Sequence, residues 1–386
     1  MSRPTQFGRI HPPDEAWLAK QPPEPILEPD LPVIDTHHHL WERPDHRYLL
    51  HEFLDDVRTG HNVVATVFME CHSMYRASGP VEMRPVGETE FVAGLAAMSE
   101  SGPGGHMDFG AAIFFTDYSM GPAELGRALE ERGFGSLWAP EHSHIPLSRQ
   151  SPFPQGGELP KKYYDVMDPF VTLAAAATAT TRLSVATGVC LVVQRDPIQT
   201  AKQVATLDQI SGGRFLFGIG AGWNAEEMAD HGTDFKSRFK VMQERVEAMK
   251  AIWTKSKPDY KGEFVNFPPM MTWPKPVQKP HPPVIVGGAF PYGARRAIAF
   301  GEGWVPHARR SAYGDVLGML PEFRKMCVEA GRDPATLPIT VFGVAEDLDL
   351  IKRYREAGVA RLVFNLPPAK ADEVLPILDR CAALMR

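Results

Sequence analysis

The sequence predicts an α/β protein: a (β/α)8 barrel of the TIM type over residues 107–386, preceded by a partial βα extension. Strand-like and helix-like runs alternate from Met107 onward, which is the pattern of parallel βαβ units. Eight strand-like runs stand out, at 109–115, 136–140, 183–189, 215–219, 284–288, 303–306, 339–344 and 361–366. Eight strands, each followed by a helix, within a segment of this length match the barrel count.

Ahead of the barrel, residues 1–32 read as a proline-rich arm, with Pro4, Pro12, Pro13, Pro22, Pro23, Pro25, Pro29 and Pro32. Proline lacks the N–H that helices and ladders need, so an extended chain is expected. Residues 33–105 form a second segment. A short strand runs into Thr36-His37-His38-His39-Leu40, a helical stretch follows, and a second strand covers 62–70. The SESGPGGH stretch at 99–106 is a break, since glycine and proline punctuate it. Met107 follows at once and offers a natural start for an independent protein.

Within the barrel, Phe239, Met242, Val246, Met249 and Trp253 recur at three- and four-residue steps, giving a helix with one apolar face. A last helix over 371–385 closes the chain, and no internal repeat of fixed period is evident. Two proline-rich connections, 142–166 and 255–283, are too long for plain loops. Both are expected on the C-terminal side of the barrel, where long loops shape active sites. The second brings Phe264, Phe267, Met270, Met271 and Trp273 as a cover for an apolar ligand.

Composition narrows the function. Apolar residues make up 44% of 386, enough for a sizeable core. The net charge of −6 gives no general attraction to nucleic acid or anionic lipid. No run is apolar and long enough to span a membrane, and the start lacks a signal-peptide core. Four scattered cysteines, with no CxxC pair, read as reduced thiols of a cytoplasmic protein. A small-molecule substrate is the expected partner, with no nucleic acid and no membrane.

Catalytic groups of such barrels lie at the C-terminal strand ends. The second strand ends in Pro140-Glu141-His142. His142 is the candidate catalytic residue, because imidazole gives or takes a proton near neutrality. Glu141 is read as orienting it or touching a cofactor. The alternative is a structural histidine bonded to a loop carbonyl, and His144 reads as solvated or structural. Gly218, Gly220 and Gly222 let backbone approach a flat ring, or simply allow tight strand–helix packing. They lack the dinucleotide-binding spacing. Gly287-Gly288 precedes a helix carrying Arg295 and Arg296, which suits phosphate or a plain βα turn.

Taken together, LWAPEHSHIP, the long ATGVCLVV…SGGRFLFGIGAGWNAEEM stretch, FKSRFKVMQERVEAMKAIW, PHPPVIVGG and RRAIAFGEGWVP resemble the luciferase-like monooxygenase superfamily. The particular likeness is to its F420-dependent oxidoreductases, and it covers essentially all of 107–386. The resemblance implies a bacterial luciferase-like barrel with a flavin-type ring across its mouth. It implies a non-prolyl cis peptide within Thr187-Gly188-Val189 as support for the ring, and a phosphate at Gly287-Gly288-Ala289. His142 would act near the reactive ring carbon, and Trp223 and Asn224 would flank ring or substrate. Gly220 belongs with this cofactor set. Ser211-Gly212-Gly213-Arg214 maps to the opposite, structural end. Gly301-Glu302-Gly303-Trp304 replaces the family's Gly-Asp-Gly-Trp and keeps the charge. Ala221-Gly222-Trp223 stands where FMN-using members often carry an arginine, which favours coenzyme F420 over FMN. The implied reaction is hydride transfer between deazaflavin and a small organic substrate, in a chain that can pair as a homodimer. The alternatives are an FMN-dependent monooxygenase using oxygen, a metal-dependent hydrolase and a catalytically silent cofactor-binding protein.

Residues 33–105 carry IDTHHHLWER, GHNVVATVFMECHSMY and VGETEFVAG, which resemble the opening of the metal-dependent amidohydrolase family. His37 and His39 match its metal-binding HxH pair. Two imidazoles fall short of the three protein ligands of catalytic zinc, and the strands supplying the rest are missing. The pair is therefore read as a remnant and no metal is expected. The resemblance implies a truncated fragment joined to the barrel by gene fusion or by an early start.

Overall fold

A computed structural model describes residues 20, 26–29, 31–43, 46–57, 59–101, 107–308 and 314–385. Most of the proline-rich arm and residues 102–106 of the break lie outside the described residues. The chain divides into two compact units, Met1–Ser99 and Glu100–Arg386.

In the first unit, β1 (Pro32–His38) pairs in parallel with β4 (Asn62–Phe68). Between them come the β2 (Trp41–Arg43) and β3 (His46–Tyr48) hairpin and helix α1 (Leu50–Val57). Helix α2 (Val86–Ser101) ends the unit. Its buried core is small, built on Leu40, Phe53 and Leu95. Ile34, Val64 and Val67 of the two-stranded sheet remain exposed.

The second unit is the barrel. Its strands are β5 (Asp108–Ala112), β6 (Ser136–Ala139), β7 (Ser184–Thr187), β9 (Phe215–Gly220), β12 (Val284–Gly287), β13 (Gly303–Val305), β14 (Thr340–Phe342) and β15 (Arg361–Asn365). Each falls within or beside an expected strand. The parallel order is β13-β12-β9-β7-β6-β5-β15-β14. Two single parallel bridges, Trp304 to Ile339 and His307 to Phe342, link β13 to β14 and bring the ring to closure. A short extra strand, β8 (Cys190–Leu191), adds to β9. Strands such as β6 are buried along their whole length, because the interior covers one face and helices the other.

The helices start where sequence chemistry dictates. Asp168 and Asp196 each precede a proline, which lacks the N–H that a first helical turn leaves unused. Asp168 accepts from Val171 N at 3.1 Å to open α4 (Pro169–Thr178), after α3 (Pro122–Glu131). Asp196 accepts from Gln199 N at 2.7 Å to open α5 (Pro197–Ser211). Gly212, at φ 65°, ends α5 in the left-handed conformation. Arg214 then bonds the carbonyls of Ser211, Leu183, Ala177 and Thr180, stapling the N-terminal end of β9.

After β9 come α6 (Ala225–Asp230) and α7 (Arg238–Thr254). Met242, Val246, Met249 and Trp253 of α7 are buried as the periodicity predicts, while Phe239 at its start is partly exposed. The 255–283 connection corrects an expectation. It follows α7, which has already carried the chain back to the N-terminal rim, so it lies opposite the expected side. There β10 (Tyr260–Lys261) and β11 (Asn266–Phe267) form a hairpin, and Gln278 bonds Phe215 O at the start of β9. Phe267 packs into the core, whereas Met271 and Trp273 are exposed. The remaining helices are α8 (Tyr292–Phe300), α9 (Val316–Glu329), α10 (Leu348–Glu356) and α11 (Ala371–Ala383).

The barrel interior is filled. Trp138 and Phe342 meet edge to face at 5.0 Å, amid Ala112, Ala186, Ile285, Val305 and Val363. It is a packed core rather than a pore. No described helix is long and apolar enough to cross a membrane.

Candidate functional site

A cavity of about 920 Å³ opens at the C-terminal ends of the strands, the position where such barrels build their sites. Of the residues singled out in the sequence, Glu141, His142, Gly188, Val189, Gly220, Trp223, Gly287, Gly288 and Ala289 line it, and Thr187 and Asn224 do not.

The floor is cleared by glycine. The peptide between Gly188 and Val189 is cis, at the place the resemblance indicated. Val189 sits against two glycines of neighbouring strands. A β-carbon on Gly220 would lie 2.7 Å from its Cγ2, and one on Gly287 would lie 3.2 Å from its Cγ1. Gly188 rests on the Phe342 ring, 3.0 Å from where its own β-carbon would stand. A side chain at any of these glycines would crowd Val189 or Phe342, both of which line the cavity. Thr187 is buried beneath it, donating its hydroxyl to Gly218 O at 2.7 Å. Its expected contact with cofactor is therefore replaced by a strand-to-strand bond.

His142 stands at one side. Its Nδ1 lies 2.8 Å from Glu227 Oε2, its ring is 5.5 Å from Tyr163 and 5.8 Å from Trp223, and its side chain is 7% exposed. The partner is a carboxylate, so the reading of a histidine bonded to a loop carbonyl does not hold. The orienting acid is also not Glu141. That side chain accepts from Leu191 N at 2.6 Å and from Arg195 Nε at 2.5 Å, which fixes β8. Beside it, burial pushes the Cys190 thiol well up, and the Glu141 charge adds to the rise.

Asn224 corrects another expectation. It caps α6 by accepting from the N–H groups of Glu226 and Glu227 at 3.2 Å each, and so places Glu227 rather than touching a ligand. The loop after His142 is tied to the same helix. Ser151 N donates to Glu226 at 2.7 Å, His144 pairs with Asp230 at 2.9 Å, and Ser143 Oγ lies 2.7 Å from His231.

The opposite side is cationic. Gly288 has φ 151°, a backbone that disfavours any side chain, and a β-carbon there would come 3.2 Å from Arg296 Nη2. Its own N–H already bonds Val305 O, so Arg296 rather than this amide offers charge at the turn. Arg295 is directed elsewhere, over Tyr292. Arg238 and Arg296 both stack on Phe239, at 4.2 and 3.9 Å from its centroid. Arg238 has no carboxylate partner among the described residues, its Nε is unbonded, and burial lowers its pKa. A glycine-cleared floor with two guanidinium groups at one end fits a planar ring bearing an anionic tail.

Glu227, Tyr163, Arg238 and Phe239 were not found by sequence reasoning. The adjacent acids Glu226-Glu227, just inside a capped helix, were the one available signal for the first. The expected aromatic cover from 255–283 is absent from the lining, which draws on Phe114, Tyr163 and Phe239 instead.

In the first unit, His37 Nε2 and His39 Nε2 are 3.0 Å apart, and His39 Nδ1 lies 2.8 Å from Met69 O. Among the described residues no group of three histidine, cysteine or acidic side chains is placed to hold a metal.

The model of the luciferase-like monooxygenase family matches residues 121–364, and the chain belongs to that family. The uncharacterized protein Rv0953c of Mycobacterium tuberculosis is 40% identical over 286 residues, covering 72% of this chain and 98% of its own. An F420-dependent hydroxymycolic acid dehydrogenase of the same organism is 26% identical over 229 residues, 58% of this chain and 57% of its own. An FMNH(2)-dependent dimethylsulfone monooxygenase of Pseudomonas putida is 33% identical over 122 residues, 31% of this chain and 34% of its own. Among solved structures, an F420-dependent secondary alcohol dehydrogenase with an F420–acetone adduct superposes with a TM-score of 0.57 at 19% identity, over 72% of this chain and 99% of that one. That likeness shows the fold.

Proposed function

We propose that the chain is an F420-dependent oxidoreductase acting on a small organic substrate. The observation that carries this reading is His142, held by Glu227 at 2.8 Å, on the wall of a cavity with a glycine-cleared floor. Bound deazaflavin supplies two-electron hydride chemistry, and the protein supplies binding, orientation and proton handling. Gly188, Val189, Gly220 and Gly287 would lie under the ring, and Arg238 and Arg296 would hold its anionic tail. His142 gives or takes the proton at the substrate oxygen. Trp223, Tyr163 and Phe114 exclude water around it. The F420-dependent dehydrogenase among the relatives supports this choice of cofactor.

One observation favours a second reading, an FMN-dependent monooxygenase. Two arginines at a single end suit the doubly charged terminal phosphate of FMN, and an FMNH(2)-dependent relative exists. Titrating the full chain with F420 and with FMN, followed by the fluorescence of each, separates the two. Tighter F420 binding and F420H2 turnover without oxygen uptake are expected. Tighter FMN binding with oxygen uptake in the presence of a flavin reductase favours the second, and binding of neither overturns both.

A further inference from the structure

We infer that Glu227 is a positioning residue that sets the tautomer of His142. The inference rests on reading His142 as the proton-handling group of the cavity. Glu227 is fully buried, and both its oxygens are engaged. Oε2 faces His142 Nδ1 at 2.8 Å, and Oε1 accepts from Ser143 N at 3.1 Å. An ionised carboxylate only accepts hydrogen bonds, so the proton between it and the ring belongs to Nδ1. That leaves a lone pair on Nε2, which has no hydrogen-bond partner among the described residues, in a ring that lines the cavity.

The arrangement is rigid on every side. Asn224 caps the Glu227 backbone N–H at 3.2 Å, the short helix is tied to Ser151 through Glu226 at 2.7 Å, and the bond from Ser143 N holds the carboxylate itself. The imidazole cannot turn over freely, because Tyr163 and Trp223 meet it at 59° and 65°. A flipped ring would set Cδ2 against the carboxylate, and the other tautomer would set a bare Nδ1 there. The pair therefore presents Nε2 as a proton acceptor toward the cavity, and Glu227 balances the positive charge when Nε2 gains a proton. A ligand with an ionisable O–H at its reacting carbon fits this acceptor.

The test is the 15N–1H spectrum of the full chain labelled at histidine, with His142 assigned by its loss in His142→Gln. The expected signal is the Nδ1–H tautomer. In Glu227→Gln the single remaining acceptor oxygen cannot serve both N–H donors, and the amide NH2 can donate to the ring. The Nδ1–H share is then expected to fall severalfold in favour of Nε2–H. A purely structural acid would alter stability and leave the tautomer alone. A wild-type ring protonated at Nε2, or an unchanged tautomer in Glu227→Gln, overturns the assignment; should the variant not fold, the wild-type spectrum decides. Fluorescence titrations of F420 and FMN on the same wild-type sample keep the two ideas apart. Binding of neither ring sinks the cofactor reading, while the tautomer alone bears on Glu227.

Discussion

Val189 occupies the space that a β-carbon on Gly220 would need, with its Cγ2 2.7 Å from that position. The contact makes Gly220→Ala a probe of the floor. The added methyl must push Val189 toward the cavity, and overpacking of this kind costs ~1–3 kcal/mol. Cofactor affinity is expected to fall at least as steeply as thermal stability, because the displaced side chain would enter the space proposed for the ring. Calorimetric melting and a fluorescence titration of the same variant check this. A variant that loses stability but binds as before contradicts the placement of the ring over Val189.

His142→Gln removes the titrating group and keeps a side chain of similar reach. General acid–base groups contribute roughly 10²–10⁴-fold to rate, so turnover is expected to fall within that range. Affinity for the cofactor should change only slightly, since the floor and the arginines are untouched. Parallel measurement of the dissociation constant and of single-turnover rates separates the two effects. An unchanged rate would remove His142 from the chemistry, whereas cofactor binding with no turnover in either protein supports the catalytically silent alternative.

Arg238→Met keeps the stem that packs on Phe239 and removes the charge. A hydrogen-bonded charge contact with an anionic tail is worth roughly 1.5–3 kcal/mol, or about tenfold or more in affinity. Binding of the intact cofactor is expected to weaken by that amount and to lose part of its salt dependence. Riboflavin, which has no phosphate, should bind wild type and variant alike. Equal losses for both ligands would place Arg238 in packing alone.

Cys381 gives a pH-dependent test away from the site. Burial pushes its thiol up to about 12, and Glu346 adds to the shift. A folded-state value above the unfolded one means that the stabilisation is complete below the ordinary thiol range, ~8.5. It is lost as pH rises from there toward 12, at up to about 1.4 kcal/mol per pH unit. Melting temperature should therefore fall between pH 9 and 11, more steeply in wild type than in Cys381→Ala. Equal slopes would rule out this thiol as a contributor.

The barrel was readable because its information is local. Each strand is a short apolar run bounded by turn residues, and Asp168-Pro169 and Asp196-Pro197 mark helix starts in sequence alone. Gly188, Val189 and His142 were readable for a different reason, since they sit inside distinctive stretches at strand ends. Glu227 and Arg238 were not. Each reaches the cavity from a helix, and nothing in one-dimensional spacing says which face of a helix meets a loop 85 positions away, as Glu227 meets His142. Phe239 was assigned to the buried stripe of its helix by periodicity, yet at the first turn that stripe runs past the core and onto the rim. The 255–283 segment was misplaced because it was numbered from its strand and not from α7, which reverses the side. Asn224 and Thr187 were right in neighbourhood and wrong in role: Asn224 is a typical cap residue whose capping signal was passed over, and the strand-to-strand bond of Thr187 is not visible in sequence.

The edge-to-face pair of Trp138 and Phe342 plugs the barrel interior like a cork. With no passage through the far end, whatever binds beneath must arrive and depart by the same doorway as whatever binds above it. Were the proposed ring to lie on Val189 with substrate above it, the ring would have to load first and leave last.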